Sequence, residues 1–398
     1  MPEPDLTPRQ MLARAAALRP LLRAQQAACE AAGRILTETN QAFVDAGFYR
    51  ILQPRRFGGY EFDLPVFAEV MIEVTRGCPS SGWVLAFTAG HTHVLAKFPE
   101  RAQIEAYGCD GDFRAPFVGA PGSAEPVEGG LLINGAWDYA SGCDVATHFL
   151  ASVAVRGQAS NAAPGETLAA LIDRKDFAIV ENWDMLGMRG TGSHRVVVTD
   201  VVIPAYRANR AERALPNAEP APAAKSIYDN PLYAGPSANV LMAEIAAVAI
   251  GTGLCALDCY EEMLRRRTTR GPSPIARAES PEFQRHFGHA QALLNTAYAA
   301  LLGCTRQYMA FCHEAAEEGV PFSLERSQGI VLVEQQCTRL AGEAVDLLFR
   351  SAGSSDARPG SMLQRCFRDM ATLRTHISLQ FDQLFEAFAR RHLGVAAG

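Results

Sequence analysis

Two short segments combine aromatic, hydroxyl and glycine residues in a way that could bind a planar ligand. The first, Trp137–Gly142, reads Trp-Asp-Tyr-Ala-Ser-Gly, and the second, Trp183–Ser193, ends in Arg-Gly-Thr-Gly-Ser. Backbone N–H groups and hydroxyls at such turns can hydrogen-bond a flat, polar-edged molecule. The alternative is a capped turn beside a core tryptophan, and the pattern alone leaves both interpretations open.

Histidines supply the other candidate chemistry. His91-Thr92-His93 offers two ligand types for a metal, but no nearby acid or cysteine completes a set, so we predict no metal site and favour one histidine in a pocket. His376 falls in a helix predicted from the capping box at Ser361 to Arg391. An inward histidine is often only a core residue, although its ordinary pKa suits proton transfer near neutral pH. On that helix, His376 would share a largely apolar face with Thr372, Leu373, Leu379 and Gln380.

Two further motifs favour packing over chemistry. Gly251-Thr252-Gly253 matches a relaxed dinucleotide fingerprint, but it lies inside a helical run from Leu241 to Leu264, which favours close helix packing. Cys255 and Cys259 have helical spacing and no second pair at zinc-ribbon distance. We therefore expect reduced cysteines and a cytoplasmic protein.

The elements that must position these residues follow in three blocks. Thr7-Pro8-Arg9-Gln10 predicts a capped helix start, and helical periodicity dominates to about residue 110. Strand-like segments follow, separated by predicted turns at Gly129-Gly130 and Asn134-Gly135. Long helical patterns resume after Pro236. The predicted strands are His148–Val155, Thr167–Ile172, Phe177–Val180 and Arg195–Pro204, the last being the strongest.

The patterns predict a helical domain at 1–110, a β domain at 111–210, a linker at 211–235 and a bundle of about four helices at 236–398. Helix breaks are expected near Gly271-Pro272, Gly319–Pro321 and Gly353–Gly360. Because strands and helices do not alternate, a doubly wound parallel sheet is disfavoured. The fold class is α+β, mainly α.

Composition excludes several classes of protein. The 398 residues are 48% hydrophobic and 20% charged, with 37 Lys+Arg against 43 Asp+Glu and a net charge of −6, which is typical of a folded globular chain and unlike a nucleic-acid binder. The run from Val240 to Leu257 could span a bilayer by length, but it contains Glu244 and two glycines. A buried core helix is the expected structure.

Taken together, these motifs resemble the acyl-CoA dehydrogenase superfamily. More narrowly, they are similar to the oxygenase components of two-component flavin-dependent monooxygenases, the branch that includes 4-hydroxyphenylacetate 3-hydroxylase and a steroid-degradation 3-hydroxylase. The resemblance covers nearly the whole chain. The segments that carry it are Phe57–Gly59, Cys78–Trp83, Gly135–Gly142, Gly187–Ser193, Ala352–Ser355 and Gln364–Asp369.

The resemblance implies an N-terminal helical domain, a middle β-barrel domain and a C-terminal four-helix bundle. It also implies residue roles. Ser141 would approach flavin N5, and His376 and His91 would act on the substrate side of the ring as the other catalytic groups. The remaining cofactor-binding residues would be Trp137, Tyr139, Ala140, Trp183, Arg189, Thr191 and Ser193, with Phe349, Gly353, Ser354 and Ser355 from a neighbouring subunit of a homotetramer. Substrate would contact Trp83, His91, Phe117 and His376.

The implied reaction uses reduced FMN or FAD, delivered by diffusion from a separate NAD(P)H:flavin reductase, and O₂. A C4a-hydroperoxyflavin would hydroxylate an aromatic or heterocyclic small molecule, with Ser141 slowing the loss of hydrogen peroxide. N-oxygenation of an amine, an acyl-CoA dehydrogenase and a non-catalytic relative are the alternatives. The dehydrogenase alternative is disfavoured because His376 stands in the region where those enzymes carry a Glu-Gly motif.

Overall fold

A computed structural model describes residues 6–157, 165–210, 227–379 and 381–395. Six helices precede the first strand. The first begins as predicted, because the Thr7 side chain accepts from the Gln10 backbone N–H and the Gln10 side chain accepts in return from the Thr7 backbone. The helices are α1 Pro8–Ala32, α2 Thr37–Ala46, α3 Leu64–Gly77, α4 Pro79–Ala89, α5 Thr92–Leu95 and α6 Glu100–Tyr107.

In the part of the chain that the structure describes, seven strands form one mixed sheet in the order β5-β6-β2-β1-β3-β4-β7. Only β1 and β3 pair in parallel, and the other neighbours are antiparallel. Among the described strands, β5 and β7 are the two edges. The strands are β1 Phe117–Val127, β2 Gly130–Ala140, β3 His148–Val155, β4 Thr167–Asp173, β5 Ala178–Val180, β6 His194–Ile203 and β7 Ala208–Arg210.

The strand predictions hold with one exception. Gly129 lies in the β1–β2 turn and Gly130 begins β2, as expected of a turn here, but Asn134-Gly135 lies inside β2 and is not a turn. The register against β6 shifts there, and the Asn134 amide bonds both the backbone and the side chain of Asp200. A Cβ on Gly135 would lie 2.6 Å from the Trp137 ring, so the glycine gives this ring room in the strand.

The predicted β domain ends in a strand at its border with the predicted linker. Residues 208–210 form β7 and pair with β4, whereas residues 211–226 lie outside the described part of the chain. Five helices follow, with breaks where the glycine and proline clusters predict them. They are α7 Ser237–Arg266, α8 Pro281–Glu317, α9 Leu324–Ala352, α10 Met362–Leu373 and α11 Phe381–His392.

The prediction of a single helix from Ser361 to Arg391 is wrong. Ser361 does cap α10 by accepting from the Gln364 N–H, but α10 ends at Leu373. Thr375 then donates to the Thr372 carbonyl, and a short 3₁₀ turn follows at Ile377–Leu379. His376 therefore lies in the connection between α10 and α11, not on a helical stripe, and Gln380 lies outside the described residues.

One hydrophobic core joins the N-terminal helices to the C-terminal helices, and a second lies in the sheet. Helix α7 runs through the first core and is long and apolar enough to cross a membrane, but 94% of its most apolar window is buried in the protein. Gly251 permits this packing, since a Cβ there would lie 2.5 Å from Thr75 Cβ on α3. The Gly-Thr-Gly motif is thus a packing motif, as expected.

Candidate active site

A chain of hydrogen bonds links the two hydroxyl-rich segments. Ser141, just after β2, lies with its Oγ 2.7 Å from Ser193 Oγ, and Ser193 Oγ lies 2.6 Å from Thr191 Oγ1. Trp83 of α4 donates its indole N–H to Ser141 Oγ at 2.8 Å. Thr191 donates to the Met188 carbonyl at 2.9 Å. The fold therefore brings together side chains from three separate stretches of sequence.

The direction of this chain follows from proton counting. A carbonyl can only accept, so Thr191 donates its single hydroxyl proton to the Met188 carbonyl. In the bond between Thr191 and Ser193, Ser193 must therefore be the donor. Ser141 must then donate to Ser193, while it accepts from Trp83. Since a hydroxyl oxygen has two lone pairs, Ser141 keeps one acceptor position for a further donor.

The second segment folds back on itself around the same carbonyl. Trp183 Nε1 donates to Met188 O at 2.8 Å, and the Trp183 ring packs edge-on against Tyr139 at 5.1 Å between centroids. Tyr139 is 47% exposed and Trp183 is half-buried. Two aromatic rings thus stand beside the hydroxyl chain at the protein surface.

Helix α10 anchors this loop. Asp369 accepts from the Met188 N–H at 2.6 Å, and Thr372 Oγ1 accepts from the Gly187 N–H at 2.8 Å. Burial raises the pKa of Asp369 to about 7, although the Met188 N–H and the nearby Arg368 oppose that rise. The sequence analysis assigned no role to Asp369 or Thr372. The sequence did indicate that they lie on one face of a helix, because they are three residues apart on a helix that begins at the capping residue Ser361.

An aromatic cluster covers the other side of Ser141. Trp83 stacks on Phe87 at 4.2 Å, and the ring of His376 packs edge-on against both, at 5.6 and 5.9 Å. The His91 ring lies 5.9 Å from Phe87 and 6.0 Å from Phe117. All four residues predicted to contact substrate therefore gather in one cluster, which Trp83 connects directly to Ser141.

Both histidines of this cluster are neutral at pH 7. Burial lowers the pKa of His91 to about 4, against a smaller rise from the Ala115 carbonyl, and burial lowers the pKa of His376 to about 4. The Ser378 N–H donates to His376 Nδ1, so this nitrogen carries no proton and Nε2 is the protonated one. Neutral imidazoles can accept a proton or share one with a ligand.

Glu244 on α7 was missed as a site residue. It is fully buried, and its carboxylate lies 3.8 Å from His91 Nε2. Burial raises the pKa of Glu244 well above its ordinary value. The signal was present in the sequence as the one charge inside the apolar run from Val240 to Leu257, where it served only as an argument against a membrane span.

Trp137 does not join the site. Its ring is fully buried in the sheet, packs edge-on against Phe149, and donates its N–H to the Ser152 carbonyl. Ala140 is also buried and pairs with His194 in the ladder between β2 and β6. The physical reason is an irregularity in β2: the register against β6 shifts between Trp137 and Ala140, so both of these side chains are buried while Tyr139 between them is exposed. Only Tyr139 reaches Trp183.

Arg189 points away from the hydroxyl chain into a surface groove of about 420 Å³. It pairs with Asp184 at 2.7 Å. Arg365 and Arg368 also line this groove, and both pair with Glu30 of α1. The groove therefore presents three guanidinium groups beside one carboxylate.

The segment predicted to reach a neighbouring subunit lies at the end of α9. Phe349 is half-buried and stacks on Phe367 of α10 at 4.2 Å. Gly353, Ser354 and Ser355 are exposed. They do not contact the hydroxyl chain within the described part of this subunit, so they are available to another molecule.

His93, the second candidate ligand beside His91, is a satisfied core residue. Its ring bonds Ser237, the Leu232 carbonyl and Tyr308. Elsewhere, the fold adds Cys366 to the predicted cysteine pair, and the three buried sulfurs lie within 4.8 Å of one another. All ten cysteines are free thiols. Sequence spacing could not reveal this group, since Cys366 comes from a different helix.

Comparison with known proteins places this geometry in context. A model of the acyl-CoA dehydrogenase C-terminal domain matches residues 243–381. The chain is 30% identical over 387 residues to the flavin-dependent monooxygenase oxygenase subunit HsaA of Rhodococcus jostii, covering 95% of this chain and 97% of that protein. It is 26% identical to the oxygenase component of p-hydroxyphenylacetate 3-hydroxylase of Acinetobacter baumannii, with 98% and 91% coverage.

Solved structures show the same fold. The crystal structure of 3-HSA hydroxylase from Rhodococcus sp. RHA1 superposes with a TM-score of 0.86 at 27% identity, covering 98% of both chains. XiaF from Streptomyces, solved with FADH2 and glycerol, gives a TM-score of 0.85 at 23% identity, covering 98% of this chain and 96% of its own. KijD3, solved with FMN and a dTDP-sugar, gives 0.80 at 20%, with 98% and 94% coverage.

Proposed function

The chain belongs to the family of flavin-dependent monooxygenase oxygenase subunits, and we propose that it hydroxylates an aromatic small molecule with reduced flavin and O₂. The relatives of known activity include hydroxylases of p-hydroxyphenylacetate and of resorcinol. Their naming as oxygenase components implies a separate reductase that supplies the reduced flavin.

The observation that carries this proposal is the free acceptor position on Ser141. The hydroxyl chain through Ser193 and Thr191 fixes Ser141 as a donor toward Ser193. The remaining lone pair of Ser141 can therefore accept a hydrogen bond from a ligand. The N5–H of a reduced flavin is such a donor, whereas N5 of an oxidised flavin is not. The free acceptor position of Ser141 therefore fits the reduced flavin. When bound, the reduced flavin would supply the activation of O₂.

The residues that would hold the flavin follow from the same geometry. Ser141 would accept from N5, and Thr191 and Ser193 would hold Ser141 in place. Tyr139 and Trp183 offer ring faces at the surface beside this chain. Arg189 lines the basic groove, which suits the anionic tail of FMN or FAD. The preference for FMN or FAD would depend on whether the groove binds only the phosphate of FMN or also the longer diphosphate and adenosine of FAD.

On the substrate side, Trp83 and Phe117 would contact the aromatic ring and exclude water. His376 would act through its Nε2–H, as a hydrogen-bond donor or general acid toward the reacting oxygen, because its Nδ1 already accepts from the Ser378 N–H and its ring packs in the aromatic cluster. His91 would orient a polar substituent of the substrate. Each role depends on keeping water out of the cluster, since every polar interaction is stronger there.

We also propose a homotetramer in which Phe349 and Gly353–Ser355 complete the flavin site of a neighbour. The exposure of 353–355 supports this, and so do two apolar side chains near the site, Leu186 and Ile377, at 63% and 73% exposure. The division into an N-terminal helical domain, a middle β-barrel domain and a C-terminal four-helix bundle is part of the same proposal. The separate hydrophobic core of the sheet supports it.

The experiment mixes anaerobic protein carrying reduced FMN, or reduced FAD, with oxygenated buffer and follows flavin absorbance in a stopped-flow instrument. We expect the protein to slow the return of oxidised flavin relative to free flavin, and the slower of the two cofactors to be the one it prefers. Incorporation of ¹⁸O from ¹⁸O₂ into an aromatic product would then show oxygen transfer. Flavin that reoxidises at the free rate in both cases contradicts the proposal.

A further inference from the structure

Glu244 has no hydrogen-bond partner among the described residues, although it is fully buried. Both carboxylate oxygens are unsatisfied. Burying a polar group without a partner is costly, so a group retained in this state generally has a partner that the isolated chain lacks. The absence of a side chain at Gly90 leaves space for the carboxyl group, because a Cβ there would lie 1.7 Å from Oε1.

The polar atom facing Glu244 is Nε2 of His91, at 3.8 Å from Oε2. His91 Nδ1 lies 2.8 Å from the Ala115 carbonyl, which can only accept, so Nδ1 carries the proton and Nε2 is an acceptor. The Oε2–Nε2 separation is too long for a good hydrogen bond. It is short enough for one oxygen to lie about 2.8 Å from both atoms.

The surroundings of Glu244 favour the protonated form of its carboxyl group, which can donate a hydrogen bond. Burial alone raises the pKa of this group, and no charged neighbour contributes. Burial also lowers the pKa of His91, which faces it, and of His93 and His376, so these rings favour their uncharged forms. Lys97 is occupied by the backbone carbonyls of Tyr233 and Gly235.

We propose that Glu244 is a positioning residue that selects a substrate bearing a hydroxyl group. The hydroxyl donates its proton to His91 Nε2 and accepts the proton of the Glu244 carboxyl group. This inference rests on the proposed function, since it assigns the partner of His91 to the substrate of that reaction. The pair offers one acceptor and one donor, which matches a phenol.

Substitutes for the hydroxyl fail for distinct reasons. A methyl ether cannot donate to Nε2 and adds a methyl group against Phe87 or Phe117. A carboxylate can only accept, which leaves Nε2 unpaired, and a neutral amine would take the proton of Glu244 and bury a new ion pair. Sites built around a buried hydrogen bond reject analogues that lack it by large factors, because the protein groups are left unpaired.

The first test examines protonation without any ligand. We expect infrared difference spectra of wild type minus Glu244→Gln at pH 7 to contain the C=O band of a protonated carboxylic acid. Glu334→Gln is the matched control, since Glu334 is also fully buried and unpartnered among the described residues but lies on α9 near Cys304 and Cys337. A carboxylate band for Glu244 at pH 7 overturns the proposal, whatever the protein does with flavin.

The second test examines selection, with phenol and its methyl ether anisole as probes. We expect calorimetry on the protein with reduced flavin under anaerobic conditions to show phenol binding at least about 10-fold tighter than anisole, the value of one buried hydrogen bond. The contribution of Glu244 appears in the phenol affinity itself, because the carboxyl group donates to the hydroxyl oxygen. Glu244→Gln keeps an N–H donor and should bind phenol nearly as tightly as wild type. Glu244→Leu should bind phenol at least about 10-fold more weakly, and Glu334→Gln should bind it like wild type.

The pH profile separates a hydrogen-bonding role from a structural one. In wild type the phenol affinity should fall as pH rises through the raised pKa of Glu244, because the carboxylate can no longer donate. Glu244→Gln has no such group, so its phenol affinity should not follow that titration. If wild type does not prefer phenol to anisole, or Glu244→Leu binds phenol as tightly as wild type, the proposal fails. Slow flavin reoxidation without any aromatic compound reports separately on the proposed function.

Discussion

At the residue scale, the site is built from groups that are neutral and hydrogen-bonded in a fixed direction. Trp83, Ser141, Ser193 and Thr191 pass one hydrogen bond to the next and end on the Met188 carbonyl. Such chains polarise their members, so Ser141 is a better acceptor than an isolated serine. The orientation of this one hydroxyl depends on residues up to 58 positions away in sequence.

Replacing Ser141 with alanine should shorten the time that reduced flavin survives in the presence of O₂. The loss of one hydrogen bond, about 1.4 kcal/mol, corresponds to roughly 10-fold faster reoxidation. Ser193→Ala should give a smaller acceleration, because Ser141 remains but its proton is no longer held. Stopped-flow absorbance measures both. Ser123→Ala on β1 is the control, and equal lifetimes for Ser141→Ala and this control would refute the assigned contact.

His376→Ala should reduce hydroxylation by about 10²–10⁴-fold, the usual contribution of general acid–base catalysis. Since the pKa of His376 is lowered to about 4, wild-type hydroxylation should not change with this group's titration above pH 6 and should fall only near pH 4. Product formed per O₂ consumed is the measurement. His313→Ala, an exposed histidine on α8, should behave as wild type. Full coupling in His376→Ala would make His376 a core residue.

At the scale of elements, α10 holds the loop that carries the hydroxyl chain. Asp369 has a folded-state pKa near 7, above the unfolded value of 3.8, so its contribution to stability is present below pH 4 and is lost as pH rises toward 7. The two histidines act in the opposite sense. Their lowered pKa values remove stability as pH falls from 6.5 toward 4.

Asp369→Asn should therefore remove the loss of stability that the ionisation of Asp369 causes as pH rises toward 7. The amide oxygen still accepts from the Met188 N–H, but the side chain no longer ionises, so urea unfolding at pH 8 should show a gain of roughly 1–3 kcal/mol over wild type and little change at pH 4. Asp369→Leu leaves the Met188 N–H unpaired and should lose about 1–3 kcal/mol at both values. An equal loss for Asn and Leu at pH 8 would show that Asp369 acts as an anion.

Two helical glycines should respond oppositely to alanine. Gly251→Ala on α7 places a Cβ 2.7 Å from the Ile72 carbonyl oxygen on α3, so we expect a loss of about 1–3 kcal/mol or more. Gly288→Ala on α8 meets no atom within 4 Å and should gain about 0.5–1 kcal/mol by restricting the unfolded chain. Denaturant unfolding measures both. Similar values would mean that α7 and α3 can separate without cost.

Local signals predicted these elements well where the signal was itself local. The capping box at Thr7, the run of β6 and the glycine and proline breaks between α7, α8, α9 and α10 all depend on neighbours within a few residues. The failures depend on distant contacts. Asn134-Gly135 stays in β2 because Asp200 pairs with it, and α10 ends where Thr375 bonds back to Thr372.

The candidate site divides in the same way. The sequence motifs singled out Ser141, Thr191, Ser193, His91 and His376, and the resemblance added Trp83 and gave the histidines their roles. The fold gathers these residues around one serine and one aromatic cluster. Glu244, Asp369 and Cys366 could not be assigned, because each meets its neighbours in the site, His91, the Met188 N–H and the other two thiols, only when α7 or α10 packs against another part of the chain.

At the scale of the whole molecule, one core ties the first and last parts of the chain together. Helices α1, α3 and α4 pack on α7 and α10, so the N-terminal helices are held by the same apolar contacts as the C-terminal ones. The active site lies where this core meets the sheet: Trp83 comes from the helices, and Ser141 and Ser193 come from the ends of strands. Movement of the sheet against the helices would therefore open the site.

If each flavin site is shared between two subunits of the proposed tetramer, two inactive variants should complement each other, which monomers with complete sites could not do. Ser141→Ala and Gly353→Val subunits, each expressed alone, should hydroxylate poorly, because one lacks the hydroxyl and the other carries a β-branched residue at a φ of +86°. Coexpressed, they should form mixed tetramers in which about a quarter of the sites pair an intact Ser141 with an intact partner segment. Specific activity should then exceed the mean of the two parents. Native mass spectrometry confirms the mixing, and mixed tetramers with only the mean activity would place residues 353–355 outside the neighbour's site.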